Sequence, residues 1–109
     1  MAPTKKLKTT HLSTATRRWY DAIEREYELE SHHKRILLTA AEMWDRAAEA
    51  RAAIEKTGLM VTDRYGQLKV NPAVECERSS KVLFLRAVRE LGLDVEAPGE
   101  IPPVITGRA

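Results

Sequence analysis

Two adjacent histidines, His32 and His33, are the residues whose types could most readily support metal or acid–base chemistry. Imidazole is a common zinc ligand and can exchange a proton near neutral pH. Successive residues on a helix point about 100° apart, so the two rings are not expected to share one ion easily. We interpret the pair as solvated side chains in a first helical turn, and we predict no metal site and no cofactor.

No other arrangement of residues matches a familiar catalytic site. The sequence has no glycine-rich phosphate loop, no serine in a nucleophile elbow, and no ordered set of cysteine, histidine and acid. Its carboxylates, such as Glu24, Glu28 and Glu42, lie among alternating charges, which is typical of a solvated helix face. The sequence therefore indicates a binding protein rather than an enzyme, with no catalytic residues.

Basic residues dominate the beginning of the chain, where no acidic residue precedes Asp21. Unbalanced cations are the usual electrostatic mark of a segment that binds a polyanion, and a mobile arm can reach a groove of DNA. The alternative interpretation is a solubilising face. We predict contact with DNA phosphates from a basic set that comprises Lys5, Lys6, Lys8, Arg17, Arg18, Lys34 and Arg35.

Aromatic residues are few, and most of them recur at helical spacing among aliphatic neighbours. Trp19, Trp44 and Phe84 therefore favour core or subunit contacts over a base-stacking surface. Tyr20 follows two arginines closely and is the one aromatic side chain that could stack on a nucleic-acid base.

Length and composition indicate one small globular domain. The 109 residues have a charged fraction of 31% and a hydrophobic fraction of 43%, values that are typical of a folded soluble protein. Cys76 is the single cysteine, which fits a reducing compartment, and we interpret it as a small buried side chain. No apolar run reaches the ~20 residues that span a bilayer, so a cytoplasmic protein without membrane contact is expected.

Capping residues divide the chain into elements. Ser13 can cap a first helix that ends around Leu29, and Ser31 can cap a longer second helix. The second helix is expected to end near Thr57, because Gly58 supplies the left-handed residue that commonly follows a helix.

A hairpin and a third helix follow. Apolar segments 59–62 and 67–70 flank a turn that ends in Gly66, which predicts two short strands. Asn71 and Pro72 then form a good helix start, and Gly92 predicts the stop. The predicted fold is mainly α, with three helices and a small β-hairpin between the second and third. A flexible basic arm (1–11) precedes the helical core (12–93, hairpin 59–70), and an extended tail (94–109) follows it.

The second and third helices each carry an apolar arc of about 200°, where about 100° would cover one core. We therefore predict a homo-oligomer larger than a dimer. Its contact residues are predicted to be Leu37, Ala41, Trp44, Ala48, Leu83, Phe84 and Ala87.

The order of these elements resembles the small terminase subunits of tailed bacteriophages. Leu12-Ser13 opens a helix that contains a tryptophan, a long alanine-rich helix ends at Thr57-Gly58, and a hairpin carries Tyr65-Gly66. The Asn71-Pro72-Ala73 and Leu91-Gly92-Leu93 segments bracket the last helix.

The resemblance implies a viral DNA-packaging factor without catalytic activity of its own. Such a protein would form a ring, bind double-stranded viral DNA in the host cytoplasm, and present it to a large subunit that carries the ATPase and nuclease. Two other interpretations remain open at this point: a small helical DNA-binding regulator that acts as a dimer, and a structural oligomer that binds only protein.

Overall fold

The computed structural model describes residues 7–92 and 97–98 of the chain. The predicted fold class is confirmed, since three helices carry a two-stranded antiparallel hairpin between the second and the third. In chain order the elements are α1 (Thr14–Glu26), α2 (Ser31–Thr57), β1 (Met60–Thr62), β2 (Leu68–Val70) and α3 (Pro72–Leu91).

Helix α2 is the central element, and its 27 residues extend for about 40 Å. Helix α1 runs antiparallel to α2. Ser13, before the start of α1, contacts Asp45 in the middle of α2, whereas Glu24, near the end of α1, contacts Lys34 near the start of α2. Helix α3 also runs antiparallel to α2 and makes the most extensive contact with it.

The core lies along both sides of α2. One cluster joins α1, α2 and the end of α3, and a second joins α2 to the middle of α3. The two clusters consist of Leu12, Tyr20, Ile23, Leu37, Ala41 and Leu91, and of Ala40, Phe84 and Ala87. Trp19 packs against both clusters, with its ring centroid 5.9 Å from that of Phe84. A single tryptophan thus ties the three helices together.

Local sequence signals set most helix ends as predicted. The Ser13 side chain accepts from the Thr16 amide at the start of α1, and the Asn71 side chain accepts from the Ala73 amide at the start of α3. Gly58 and Gly92 have φ values of 94° and 68° after α2 and α3. These conformations are unfavourable for residues with a Cβ atom.

Two predicted helix limits are wrong. Helix α1 ends at Glu26 rather than around Leu29, because Tyr27 is extended and both Tyr27 and Leu29 turn towards the core. The cap of α2 is Glu30 rather than Ser31, since the Glu30 carbonyl already accepts the first helical bond, from the Lys34 amide at 3.0 Å. The Glu30 side chain makes no capping bond.

Cys76 is exposed, so its assignment to the interior was wrong. It lies on α3, where the buried positions are Glu77, Ser80, Phe84, Ala87 and Leu91. Most of the predicted tail lies outside the described residues, but Pro98 is described and buried.

Side-chain hydrogen bonds hold both the turn of the hairpin and the ends of its strands. Asp63 Oδ1 accepts from the amides of Tyr65 and Gln67 at 2.8 and 3.0 Å, which fixes the turn. At the base, Asn71 Nδ2 donates to the Gly58 carbonyl at 2.8 Å. The strands pair from Met60–Val70 to Thr62–Leu68, so the hairpin is fixed to the junction of α2 and α3.

Candidate nucleic-acid and subunit interfaces

The start of α1 is held on the middle of α2 by Asp45. Asp45 Oδ2 accepts from the Ser13 amide at 2.7 Å, and Asp45 Oδ1 accepts from the Thr16 and Ser13 hydroxyls at 2.7 and 3.0 Å. The carboxylate therefore accepts hydrogen bonds at the start of α1, where backbone amides have no partners within the helix. This arrangement fixes the start of α1, which follows the predicted basic arm (1–11) in sequence.

A second contact fixes the residues just before α1. His11 Nε2 lies 2.7 Å from Glu42 Oε2, and Leu12 is buried in the core. Lys8 is exposed a few residues upstream, while Lys5 and Lys6 lie outside the described residues. The predicted arm (1–11) is thus anchored at its C-terminal end.

Arg17 and Arg18 are exposed in the first turns of α1. Within residues 7–92, neither has an acidic side chain within ion-pair distance. They therefore keep their charges available for phosphate oxygens, and they lie close in sequence to the anchored end of the arm. Lys8, Arg17 and Arg18 form what we call the α1-start surface.

The structure does not bring Lys34 and Arg35 together with the α1-start surface. The Lys34 ammonium lies 3.6 Å from Glu24 Oε2, and both side chains are about three-quarters buried. Lys34 therefore ties α2 to α1 rather than facing solvent. Arg35 points elsewhere and lines a shallow concavity of about 330 Å³ with Arg86 and Glu90.

Arg86 is a cation that the sequence analysis missed. Like Arg35, it forms no ion pair with any of the described residues. Earlier in α3, by contrast, Lys81 and Arg78 are paired with Glu77 and Glu75. Glu90, four residues later on α3, has the spacing of a helical ion-pair partner, so nothing in the sequence signals that Arg86 remains unpaired among the described residues.

Tyr20 cannot stack on a nucleic-acid base, because its side chain is 1% exposed in the core. Its hydroxyl is buried without a hydrogen-bond partner among the described residues. Burial, followed by the nearby charges of Glu24 and Asp21, raises the pKa of Tyr20 to about 12. The interpretation of Tyr20 as a stacking residue is therefore wrong: Arg17 and Arg18 are exposed, but Tyr20 faces the core.

The predicted oligomerisation residues divide into two groups. Leu37, Ala41, Phe84 and Ala87 are buried within the chain itself, at 0 to 9% exposure. They are already covered by α1 and α3 and offer little surface to another subunit. The wide apolar arc of α2 is therefore explained largely by its two neighbours in the same chain.

Trp44, Ala48 and Leu83 form the second group, and each of them presents surface. Trp44 and Ala48 lie between two adjacent concavities of about 190 and 430 Å³, which we call the Trp44 groove. One wall of the groove is Glu77, whose carboxylate is 3.1 Å from both Arg51 and Lys81.

Apolar side chains outside the core are concentrated on α3 and the hairpin. On α3, Leu83 is 46% exposed and Leu85 is 61% exposed. The remaining large exposed apolar residues are Leu59, Met60, Tyr65, Leu68, Val70 and Val82. Exposed apolar side chains of this size make both elements candidates for contact with another protein chain.

The two histidines lie closer than expected. The ring centroids of His32 and His33 are 4.0 Å apart, with a 38° angle between the planes. The two rings therefore lie side by side at the start of α2, although successive residues of a helix point about 100° apart.

None of the described helices combines the length and the hydrophobicity that crossing a membrane requires.

Comparisons with known proteins identify the family. A family model described as "Phage terminase, small subunit" matches residues 16–103, which is well over half of the chain. Comparisons with curated proteins and with solved structures gave no match. The matched region begins in α1 and includes α2, the hairpin and α3. This chain therefore belongs to the family of phage terminase small subunits.

Proposed function

We propose that this protein is a DNA-packaging factor that acts in the cytoplasm of the host cell. It binds double-stranded viral DNA, assembles into a ring and presents the DNA to the large terminase subunit. The ATPase and nuclease belong to that large subunit, and this chain contributes binding alone. Membership of the family supports the packaging role.

The observation that carries DNA binding is the anchored start of α1. The Asp45 contacts and the His11–Glu42 contact hold the base of the basic segment against α2. Arg17 and Arg18 are exposed beside it. Contacts to phosphates from a fixed helix orient a protein on a duplex, while lysines in an arm add affinity that does not depend on base sequence.

Lys34 and Arg35 differ in what they contribute. Lys34 is engaged by Glu24 and is expected to support the fold more than the DNA contact. Arg35 and Arg86 line one concavity and form a second, smaller cationic surface, although Glu90 on the same concavity weakens its attraction for phosphate. The α1-start surface is therefore the principal DNA contact that we propose.

A salt titration of duplex binding tests the proposal. If Lys5, Lys6 and Lys8 each neutralise one phosphate, changing all three to alanine reduces the magnitude of the log K against log salt slope by about 2.7, from ~0.9 for each contact. The loss of affinity should be similar for every DNA sequence, because phosphate contacts do not distinguish bases.

A matched pair of double variants locates the contact. Arg17→Ala/Arg18→Ala removes two charges from α1, and Arg64→Ala/Lys69→Ala removes two from the hairpin. We expect the α1 variant to weaken binding and to lower the slope by about 1.8, and the hairpin variant to resemble the wild type. Circular dichroism checks that both remain helical. Equal affinities and slopes in all variants would remove the α1-start surface as the DNA contact.

The proposed ring rests on apolar surface that remains exposed in the single chain. Leu83 and Leu85 project from α3, and Trp44 and Ala48 line a groove on α2. A second copy that covers these residues would remove apolar area from water, at about 25 cal/mol for each Å². The buried members of the predicted set do not enter this interface.

A further inference from the structure

Glu30, His32 and His33 are the described residues that bring three possible metal ligands together. One ligand atom from each of these side chains lies within 4.8 Å of the others. His32 Nδ1 is 3.7 Å from Glu30 Oε1, and the two imidazole centroids are 4.0 Å apart. The three residues span the connection from α1 to α2 and the first turn of α2.

From this geometry we propose that Glu30, His32 and His33 form a site for one divalent transition-metal ion of the zinc class. Two imidazole nitrogens and a carboxylate oxygen are a donor set that suits zinc. Ligand atoms on a tetrahedral zinc ion are about 3.3 Å apart, as follows from bond lengths of about 2.0–2.1 Å. Small torsional changes bring the three atoms to that spacing, because the side chains of Glu30 and His32 are 76% and 65% exposed.

The carboxylate of Glu30 is available for an ion. Although Glu30 is the N-cap residue of α2, its side chain makes no capping hydrogen bond. It would therefore not have to give up a helix-capping contact in order to bind metal. Water completes the coordination of an exposed site with three protein ligands.

Electrostatics around the site act in both directions. The N-terminus of α2 carries a partial positive charge, which disfavours the binding of a cation. The preceding segment is strongly acidic, with a single arginine, Arg25, among its acids. Those acids are Asp21, Glu24, Glu26, Glu28 and Glu30. A field from several carboxylates raises the local concentration of cations and offsets the helix end.

Metal binding would fix the α1–α2 connection. Lys34 and Glu24 already join the two helices immediately beyond the site. An ion held by Glu30 and by the first turn of α2 adds a second link at this end of the molecule. The site does not depend on the proposed DNA contact, which lies at the opposite end of α1.

Titration calorimetry with zinc chloride tests the site on the full chain, with no affinity tag and in a buffer that does not bind metal. We expect one ion for each chain. His32→Ala and His33→Ala should each lower the affinity by at least the roughly tenfold that loss of an outer-shell partner costs. Glu30→Gln should lower it as well. Circular dichroism without metal confirms that these substitutions leave the fold intact.

Two control variants come from the chain itself. His11→Ala removes the remaining histidine, which pairs with Glu42, and Cys76→Ser removes the exposed thiol. Both should bind zinc as the wild type does. Cobalt(II) added in place of zinc should give visible d–d bands without the near-ultraviolet absorption of a thiolate ligand. The proposal is overturned if zinc does not bind, if His32→Ala and His33→Ala bind it unchanged, or if Cys76→Ser abolishes binding.

Discussion

The Thr16 hydroxyl donates a hydrogen bond of 2.7 Å to Asp45 Oδ1, although the two residues are 29 positions apart in the chain. Thr16 is 1% exposed, and the bond satisfies its buried hydroxyl. The same carboxylate accepts from Ser13, which is the cap of α1. One acidic side chain on α2 therefore links the cap of α1 to its position in the bundle.

Asp45→Ala should lower the free energy of unfolding by about 2 kcal/mol, because it removes the charged acceptor of a buried hydroxyl and weakens a helix cap. Denaturant unfolding monitored by circular dichroism measures this. Glu49→Ala, one turn later on α2 and exposed, is the matched control and should change stability by less than about 0.5 kcal/mol. Equal effects of the two substitutions would mean that the Asp45 contacts contribute no specific stability.

Tyr20→Phe should stabilise the protein or leave its stability unchanged. The Tyr20 hydroxyl is buried without a hydrogen-bond partner among the described residues, and an unsatisfied buried polar group costs about 1–3 kcal/mol. Removing only the oxygen keeps the aromatic ring in the core. Thermal unfolding compares the two proteins, and a clear loss of stability in the phenylalanine variant would show that the hydroxyl has a partner.

The pKa of Tyr20 predicts a loss of stability at high pH. Burial raises this pKa from 10.0 to about 12 in the folded protein, so between these values the unfolded chain loses the proton while the folded chain keeps it. Fewer protons on the unfolded state mean that stability falls as the pH rises. The free energy of unfolding should therefore decrease between pH 10 and 12, and less steeply in Tyr20→Phe. Identical pH profiles would contradict the raised pKa.

Substitution of Asn71 should destabilise the protein, because its side chain makes two different kinds of contact. The side-chain oxygen Oδ1 caps α3 by accepting from the Ala73 amide. The side-chain nitrogen Nδ2 donates to the Thr57 hydroxyl at 2.9 Å and to the Gly58 carbonyl at 2.8 Å. Asn71→Ala removes both functions and should destabilise the protein by about 2 kcal/mol. Asn71→Asp keeps the capping oxygen but loses the donor, and it should fall between the wild type and the alanine variant in denaturant unfolding.

Local signals in the sequence predicted the elements correctly where the physical cause is itself local. Ser13 caps α1 through an amide three residues away, and Gly92 ends α3 because its own φ is positive. These features depend on neighbours in the chain and on backbone sterics. The hairpin prediction likewise used a local signal, Gly66, whose φ is positive, and Asp63 fixes the turn by accepting from an amide four residues later.

Features that depend on distant packing could not be predicted in this way. Tyr27 interrupts α1 because it packs into a core that only the folded chain creates. Lys34 was assigned to DNA, but Glu24 on another helix engages it. Arg86 joins Arg35 only when α3 lies against α2. Charge in the sequence thus identified candidate cations, and tertiary contacts decide which of them remain available.

Oligomerisation is best tested at residues that the single chain leaves exposed. Trp44→Glu would disturb the protomer itself, because the Trp44 ring lies 4.9 Å from that of Phe84 in the core. Leu83→Glu and Ala48→Glu place a charge on exposed positions of α3 and of the Trp44 groove instead. Burying an unpaired charge in an interface is costly, so either substitution should dissociate the assembly while the protomer stays folded.

Light scattering of the wild type and the variants at micromolar concentration, with helicity checked in parallel, measures the outcome. We expect a wild-type mass larger than a dimer and a lower mass for Leu83→Glu and Ala48→Glu. Ala53→Glu, which is exposed on α2 but does not line the Trp44 groove, should keep the wild-type mass. A wild type that is a monodisperse monomer would defeat the proposed ring. An assembly unaffected by both test substitutions would place the subunit contact on another surface, and the five exposed apolar residues of the hairpin region would then be the next to change.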